Sequence, residues 1–140
     1  MIAIIRISGK IEIPHREQET LHRLRIRKKF SCVVLHETPE VIGMLKRARN
    51  FVAFGKIDQE TLVQLIMKRG KIVGKGKIDA DKVAKEILEG KVQKRIEDFG
   101  LKPFFSLHPP RGGIDSKTHF PRGILGDNKE KINELIMRML

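Results

Sequence analysis

Three short apolar runs alternate with two stretches that each open near a proline, and this alternation limits the first 57 residues to a small α/β module. The runs at 2–7, 30–35 and 51–54 are rich in β-branched and aromatic side chains, as strands are. Pro14 can open a helix that continues over 15–26 through Leu21 and Leu24. Thr38 can cap a second helix, with Pro39 at its first position, where a missing N–H costs nothing. Val41, Leu45 and Ala48 then form one apolar stripe, Lys46, Arg47 and Arg49 point elsewhere, and Asn50 ends the helix. Crossovers of this kind put both helices on one face of a three-stranded sheet. The other face is left for the remaining chain or a partner. Gly43 sits mid-helix, where it costs about 1 kcal/mol against Ala. That points to close approach by another backbone, either a strand of the fold or a nucleic-acid strand.

Charge narrows the choice of partner. The formal net charge is +12, and residues 1–57 carry 12 basic against 5 acidic side chains. Residues 58–98 carry 10 against 8, and 99–140 carry 7 against 4. The excess favours an anionic partner, met mainly by the first part of the chain. Its densest stretch is 21–29, where five of nine residues are Arg or Lys while Leu21, Leu24 and Ile26 still supply apolar contacts. Cys32 is the only cysteine and lies in an apolar run, as a buried thiol in a reducing compartment would. The apolar N-terminal run is too short for a signal sequence, and no stretch reaches 18 apolar residues, so the expected location is cytoplasmic and soluble.

Beyond residue 57 the texture changes. Asp58 caps a helix with Leu62, Leu65 and Ile66 on one side, ended by Gly70. Residues 71–78 read as a short extended or hairpin segment. If extended, it puts Lys71, Lys75 and Lys77 on one face. Asp79 caps another helix with Val83, Ile87 and Leu88, closed by Gly90, and a shorter helical stretch covers 91–99. Gly-Lys-Ile-Asp occurs at 55–58 and again at 76–79, as the same strand-to-cap solution used twice or by chance. Residues 101–126 have no periodicity but hold four prolines, four glycines and Phe104, Phe105 and Phe120 among cations. Such a segment orders by lying on RNA, with bases on rings and phosphates on Arg, or its phenylalanines cover the sheet. Asp127 or Asn128 caps a last helix whose Ile132, Leu135, Ile136 and Met139 dock back on the domain.

No catalytic constellation is visible. The five histidines have no metal-ligand spacing, and Cys32 with His36 is two ligands short of a structural zinc site. No nucleophile elbow or phosphate-cradling Gly-Lys-Ser/Thr loop occurs. Asp79 and Asp81 are better explained as helix-start residues than as an acid–base pair. Neither a cofactor nor a small-molecule substrate is called for. A membrane-surface role needs large apolar residues opposite a basic helix face, and 15–29 offers few, with no Trp or Tyr.

Thr38-Pro39, Gly43-Met44-Leu45 and the preceding Thr20-Leu21, Leu24-Arg25-Ile26 resemble the large-subunit ribosomal protein family L-thirty. Its bacterial members are little longer than residues 1–57. The tail resembles the long archaeal and eukaryotic form, called L-seven in the eukaryotic cytosol. The residues that carry this are Leu107-His108-Pro109-Pro110-Arg111-Gly112-Gly113, Lys117-Thr118-His119-Phe120, Gly126-Asp127-Asn128 and Ile132 to Leu140. Two departures stand out. Long-form members often have Tyr-Arg where this chain has Val41-Ile42, which removes a possible RNA-contacting Arg. They often have Tyr and Trp where it has Phe51 and Phe54.

The resemblance implies an α+β fold. A partly ferredoxin-like β-α-β-α-β core over 1–57 would carry a mainly helical and irregular C-terminal subdomain over 58–140. It implies a non-enzymatic, structural constituent of the large ribosomal subunit, bound to rRNA with 5S rRNA nearby and with neighbouring ribosomal proteins. The alternatives are a free-standing RNA-binding module and an RNA-processing enzyme. The expected RNA contacts are Arg6, Lys10, His15, Arg16, Arg23, Arg25, Arg27, Lys28 and Lys29 around the first helix, with Lys46, Arg47 and Arg49 extending them. Lys71, Lys75 and Lys77 join them from the middle of the chain, and His108, Arg111, Lys117, His119 and Arg122 from the tail. Binding of this kind follows phosphate charge and RNA shape more than base identity.

Overall fold

The computed structural model describes residues 1–89, 96–114, 116–120 and 122–140. Three five-residue strands form its centre: β1 (Ile2–Arg6), β2 (Ser31–Leu35) and β3 (Val52–Lys56). β1 lies in the middle and runs antiparallel to both neighbours, with Ile4 opposite Val33 on one side and Phe54 on the other. Helices α1 (His15–Arg23) and α2 (Pro39–Ala48) make the two connections. Both pack on the face that carries Ile2, Ile4, Val33 and Val52, through Leu21, Val41, Leu45 and Ala48. Thr38 Oγ1 accepts from Val41 N at 3.3 Å, and Pro39 stands in the first turn.

The opposite face, with Ala3, Ile5, Cys32, Val34 and Ala53, is covered by the rest of the chain. Helices α3 (Gln59–Arg69), α4 (Ala80–Glu89) and α5 (Ile132–Met139) contribute Leu62, Leu65, Ile66, Val83, Ala84, Ile87, Leu135, Ile136 and Met139 to that core. Burial pushes the Cys32 thiol up to about 12, partly opposed by a backbone hydrogen bond to Ile4. Residues 101–126, which show no period, supply the two ends of the sheet. β4 (Phe105–Ser106) pairs antiparallel with β2, and β5 (Gly126–Asp127) pairs parallel with β3. The sheet thus has five strands in the order β4-β2-β1-β3-β5. Gly55 is needed where α5 begins, because a Cβ there would lie 2.2 Å from the Lys129 carbonyl oxygen.

Several boundaries differ from the sequence reading. The first helix stops at Arg23 and not at Ile26, since Arg25 adopts φ +64° and the chain turns. β2 starts at Ser31 because Phe30 has φ +62°. β3 spans 52–56, shifted from 51–54. Residues 71–78 are not extended: only Ile72 bridges, to Leu101, and Gly74 and Gly76 adopt φ +108° and +154°. The shared lysine face that depended on extension is therefore absent. Of the repeated Gly-Lys-Ile-Asp, the cap recurs and the strand does not. Asp58 accepts from Thr61 N at 2.9 Å, and Asp79 from Asp81 N at 3.2 Å, but only the first copy follows a strand. Of the helical stretch 91–99, Ile96–Phe99 is a 3₁₀ turn, while 91–95 and the closing Gly90 lie outside the described residues.

The last helix is capped differently as well. A 3₁₀ turn, Lys129–Lys131, precedes it; Asp127 Oδ1 accepts from Lys129 N, and Asn128 donates to Ile124 and Gly126 carbonyls instead of capping. Gly43 is exposed, and a Cβ built on it meets nothing within 4 Å. Among the described residues no strand approaches it, so close helix–strand packing is not its explanation.

Candidate nucleic-acid interface

The strand register gathers the basic loops. β1 ends where β2 and β3 begin, with Ile5 opposite Cys32 and Arg6 opposite Val52. β4 leaves the sheet at this same end, beyond Ser106, and β5 enters there. Five segments from distant parts of the sequence thus emerge together: 7–14, 26–30, 49–51, 107–113, and a last one described over 116–120 and 122–125. Backbone bonds tie them to one another. Phe30 N donates to Arg6 O at 2.7 Å, Ile7 N to Phe51 O at 3.0 Å, and Leu107 N to Phe30 O at 3.1 Å. His119 Nε2 lies 2.8 Å from Asn50 Oδ1, a bond in which the imidazole N–H donates.

Most of the expected cations are exposed at or beside this end. Lys10, His15, Arg16, Arg27, Lys28, Lys29, Arg47, Arg49, Arg111, Lys117 and Arg122 all present side chains to solvent. Lys46 is exposed on α2, one turn from its end. The C-terminal end of α2, the negative end of its dipole, is where Lys46 and Arg47 are also favoured electrostatically. The Lys29 ammonium stands 4.9 Å from the Phe30 ring centroid. Partial neutralisation touches two members. Arg23 pairs with Glu19 one turn earlier at 3.1 Å, and Arg25 pairs with Glu97.

Arg6 is a correction to the expected set. It is 1% exposed, and its guanidinium donates to four carbonyl oxygens: Ser8 (3.0 Å), Gly9 (2.9 Å), Ile26 (3.0 Å) and Arg27 (2.8 Å). Burial lowers its pKa. Arg6 cannot reach a phosphate from there. It holds the loop after β1 beside the loop before β2, and so positions Lys10 and Arg27–Lys29. His108 is likewise engaged internally, half-buried with its ring nitrogens against the Pro109 and Leu140 carbonyls. Lys71, Lys75 and Lys77 are exposed but belong elsewhere: Val73 N bonds Gly100 O and Lys102 N bonds Lys71 O, so their loop lies along 100–102.

Sequence reasoning missed Arg138. Its side chain donates to Arg111 O (2.9 Å) and Gly113 O (2.6 Å), fixing the turn that carries Arg111. The phenylalanines divide. Phe105 is fully buried in the second core, Phe104 packs half-buried against the first, and Phe120 sits half-buried with the Lys131 ammonium 5.8 Å from its centroid. Phe104 and Phe105 therefore cover the sheet. Among the described residues no three His, Cys, Asp or Glu side chains converge, and no helix is long and apolar enough to cross a membrane.

The family described as "Ribosomal protein L30p/L7e" matches residues 2–52. Over nearly the whole chain the sequence is similar to proteins named "Large ribosomal subunit protein uL30". That of Archaeoglobus fulgidus is 40% identical, covering 99% of each chain. That of Pyrobaculum islandicum is 38% identical over 99% of this chain and 93% of the relative. That of Staphylothermus marinus is 38% identical over 100% and 98%.

Proposed function

Because this chain belongs to the ribosomal protein L30p/L7e family, we propose that it is a structural constituent of the large ribosomal subunit that holds rRNA on the basic end of its sheet. The observation that carries the reading is the convergence of five separate loops, each bearing exposed cations, at one end of a rigid five-stranded sheet. Such a surface neutralises phosphates without reading bases, so it suits a folded RNA recognised by its shape. Lys10, Arg27, Lys28, Lys29, Arg47, Arg49, Arg111, Lys117, His119 and Arg122 make the main contact. His15, Arg16, Arg23, Arg25 and Lys46 flank it. Lys71, Lys75 and Lys77 form a separate contact on the loop after α3. The resemblance implies 5S rRNA as a nearby RNA and other large-subunit proteins as neighbours. The role is one of binding, with no reaction.

Sedimentation of a cell lysate at low and at high salt tests this directly. The expected outcome is co-migration with the large subunit at both salts. Retention at the top of the gradient overturns the reading. With deproteinised large-subunit rRNA, the logarithm of affinity falls linearly with the logarithm of salt. A salt-independent affinity would contradict phosphate binding.

A further inference from the structure

We infer that Ile11 is an RNA-contacting residue, an apolar side chain held out of the fold to lie against an unstacked base of the RNA that the surrounding cations grip. This rests on the rRNA-binding reading above and adds to it a contact that charge does not supply.

Ile11 is 88% exposed, the most exposed of the large apolar side chains among the described residues. Its neighbours in kind behave oppositely. Ile2, Ile4, Ile5, Ile7 and Ile26 are buried, and Ile13, two residues on, packs against the core under α1. A single exposed aliphatic residue is unremarkable on a loose loop. This loop is pinned on both sides. Before Ile11, the Ser8 and Gly9 carbonyls accept from the Arg6 guanidinium and Ser8 N bonds Phe51 O. After it, Glu12 adopts φ +60°, Ile13 is packed, and α1 begins at His15 with Gln18 N bonded to Pro14 O. The fold thus fixes the residues around Ile11 and leaves Ile11 itself without a place inside.

The setting identifies the occupant. The same guanidinium that holds Gly9, two residues before Ile11, also holds Ile26 and Arg27, so the loop that carries Ile11 and Lys10 is tied to the start of the Arg27–Lys29 run. A protein partner would be met by a contiguous apolar patch with a polar rim. Of the other exposed apolar side chains, Met67, Ile72 and Val73 lie on α3 and the loop that follows it, and Met137 lies on α5. A lone aliphatic side chain among cations fits a nucleic acid instead. Phosphates meet the charges, and the flat, poorly hydrated face of an unstacked base meets the methyl groups, as apolar wedges do between base steps.

The chain contains no Trp and no Tyr, so Ile11→Trp creates a single fluorescent reporter on a silent background. Titrated with deproteinised large-subunit rRNA from the source organism, this variant is expected to lose fluorescence and become shielded from acrylamide. Ile11→Ala is expected to bind the same rRNA about tenfold more weakly, the equivalent of one partly buried aliphatic side chain. Its slope of log affinity against log salt stays as in the unsubstituted protein. Lys28→Ala with Lys29→Ala instead flattens that slope by roughly 0.7–0.9 per cation lost. Thermal unfolding of both Ile11 variants should match the unsubstituted protein, because the side chain makes no contact to lose. If Ile11→Ala binds normally, or if tryptophan at 11 stays open to acrylamide at saturating RNA, the inference is overturned. Normal RNA binding by Ile11→Ala with failure to enter reconstituted subunits would assign the residue to a protein neighbour, which also overturns it. Failure of the unsubstituted protein to bind rRNA would instead sink the parent reading.

Discussion

Arg6 donates to carbonyl oxygens on two loops; its removal leaves the buried Ile26 carbonyl without that donor and releases the loops that Ser8, Gly9 and Arg27 anchor. Leaving a buried acceptor unsatisfied costs about 1–3 kcal/mol. Arg6→Ala is therefore expected to unfold at markedly lower denaturant. Arg6→Lys should recover only part of the loss, because one ammonium cannot span acceptors that a planar fork reaches together. Equal stability of Arg6→Ala and the unsubstituted protein, measured by urea unfolding, would refute the clamp. Sequence reading put Arg6 among the phosphate contacts because charge is visible in a sequence and burial is not. The signal was present all the same. On a strand, residues 2, 4 and 6 share a face, and Ile2 and Ile4 belong to the core. The positive φ at Arg25 and Phe30 had no such signal, since neither residue type favours that region.

At the scale of elements, what was legible followed period and cap. The three central strands, the first two helices on one face, the Thr38 and Asp58 caps and the apolar stripe of α5 are all local patterns, and all are present. β4 and β5 were not legible because two residues have no period. They exist only because their backbone groups find β2 and β3. The convergence of the tail cations on the N-terminal loops was hidden for the same reason. Gly43 is the element-scale remainder. It weakens α2 while its Cβ direction points into open space. Gly43→Ala should raise stability by about 1 kcal/mol, seen as a higher midpoint in urea with an unchanged slope. A loss of stability would mean that the helix needs glycine there for its own packing.

At the scale of the molecule, residues 1–57 and 58–140 share one sheet and one of its two cores. In the absence of the second segment, Ala3, Ile5, Ile7, Cys32, Val34 and Ala53 lose their cover, and β2 and β3 become bare edges. A fragment of residues 1–57 is therefore expected to self-associate. Its Cys32, fully buried in the whole protein, should react with a thiol reagent without denaturant. A monomeric fragment with an unreactive thiol would show that the first segment stands alone.

The pairing of Phe105 with Cys32 and of Gly126 with Ala53 has a further consequence, in time. Chains are made from the N-terminus at roughly 5–20 residues per second, so about 4–14 s separate completion of β3 from the arrival of β5. During those seconds the nascent sheet has one greasy face and two open sides. How much help it needs from chaperones is then set by the pace of translation, and not by the stability of the finished fold.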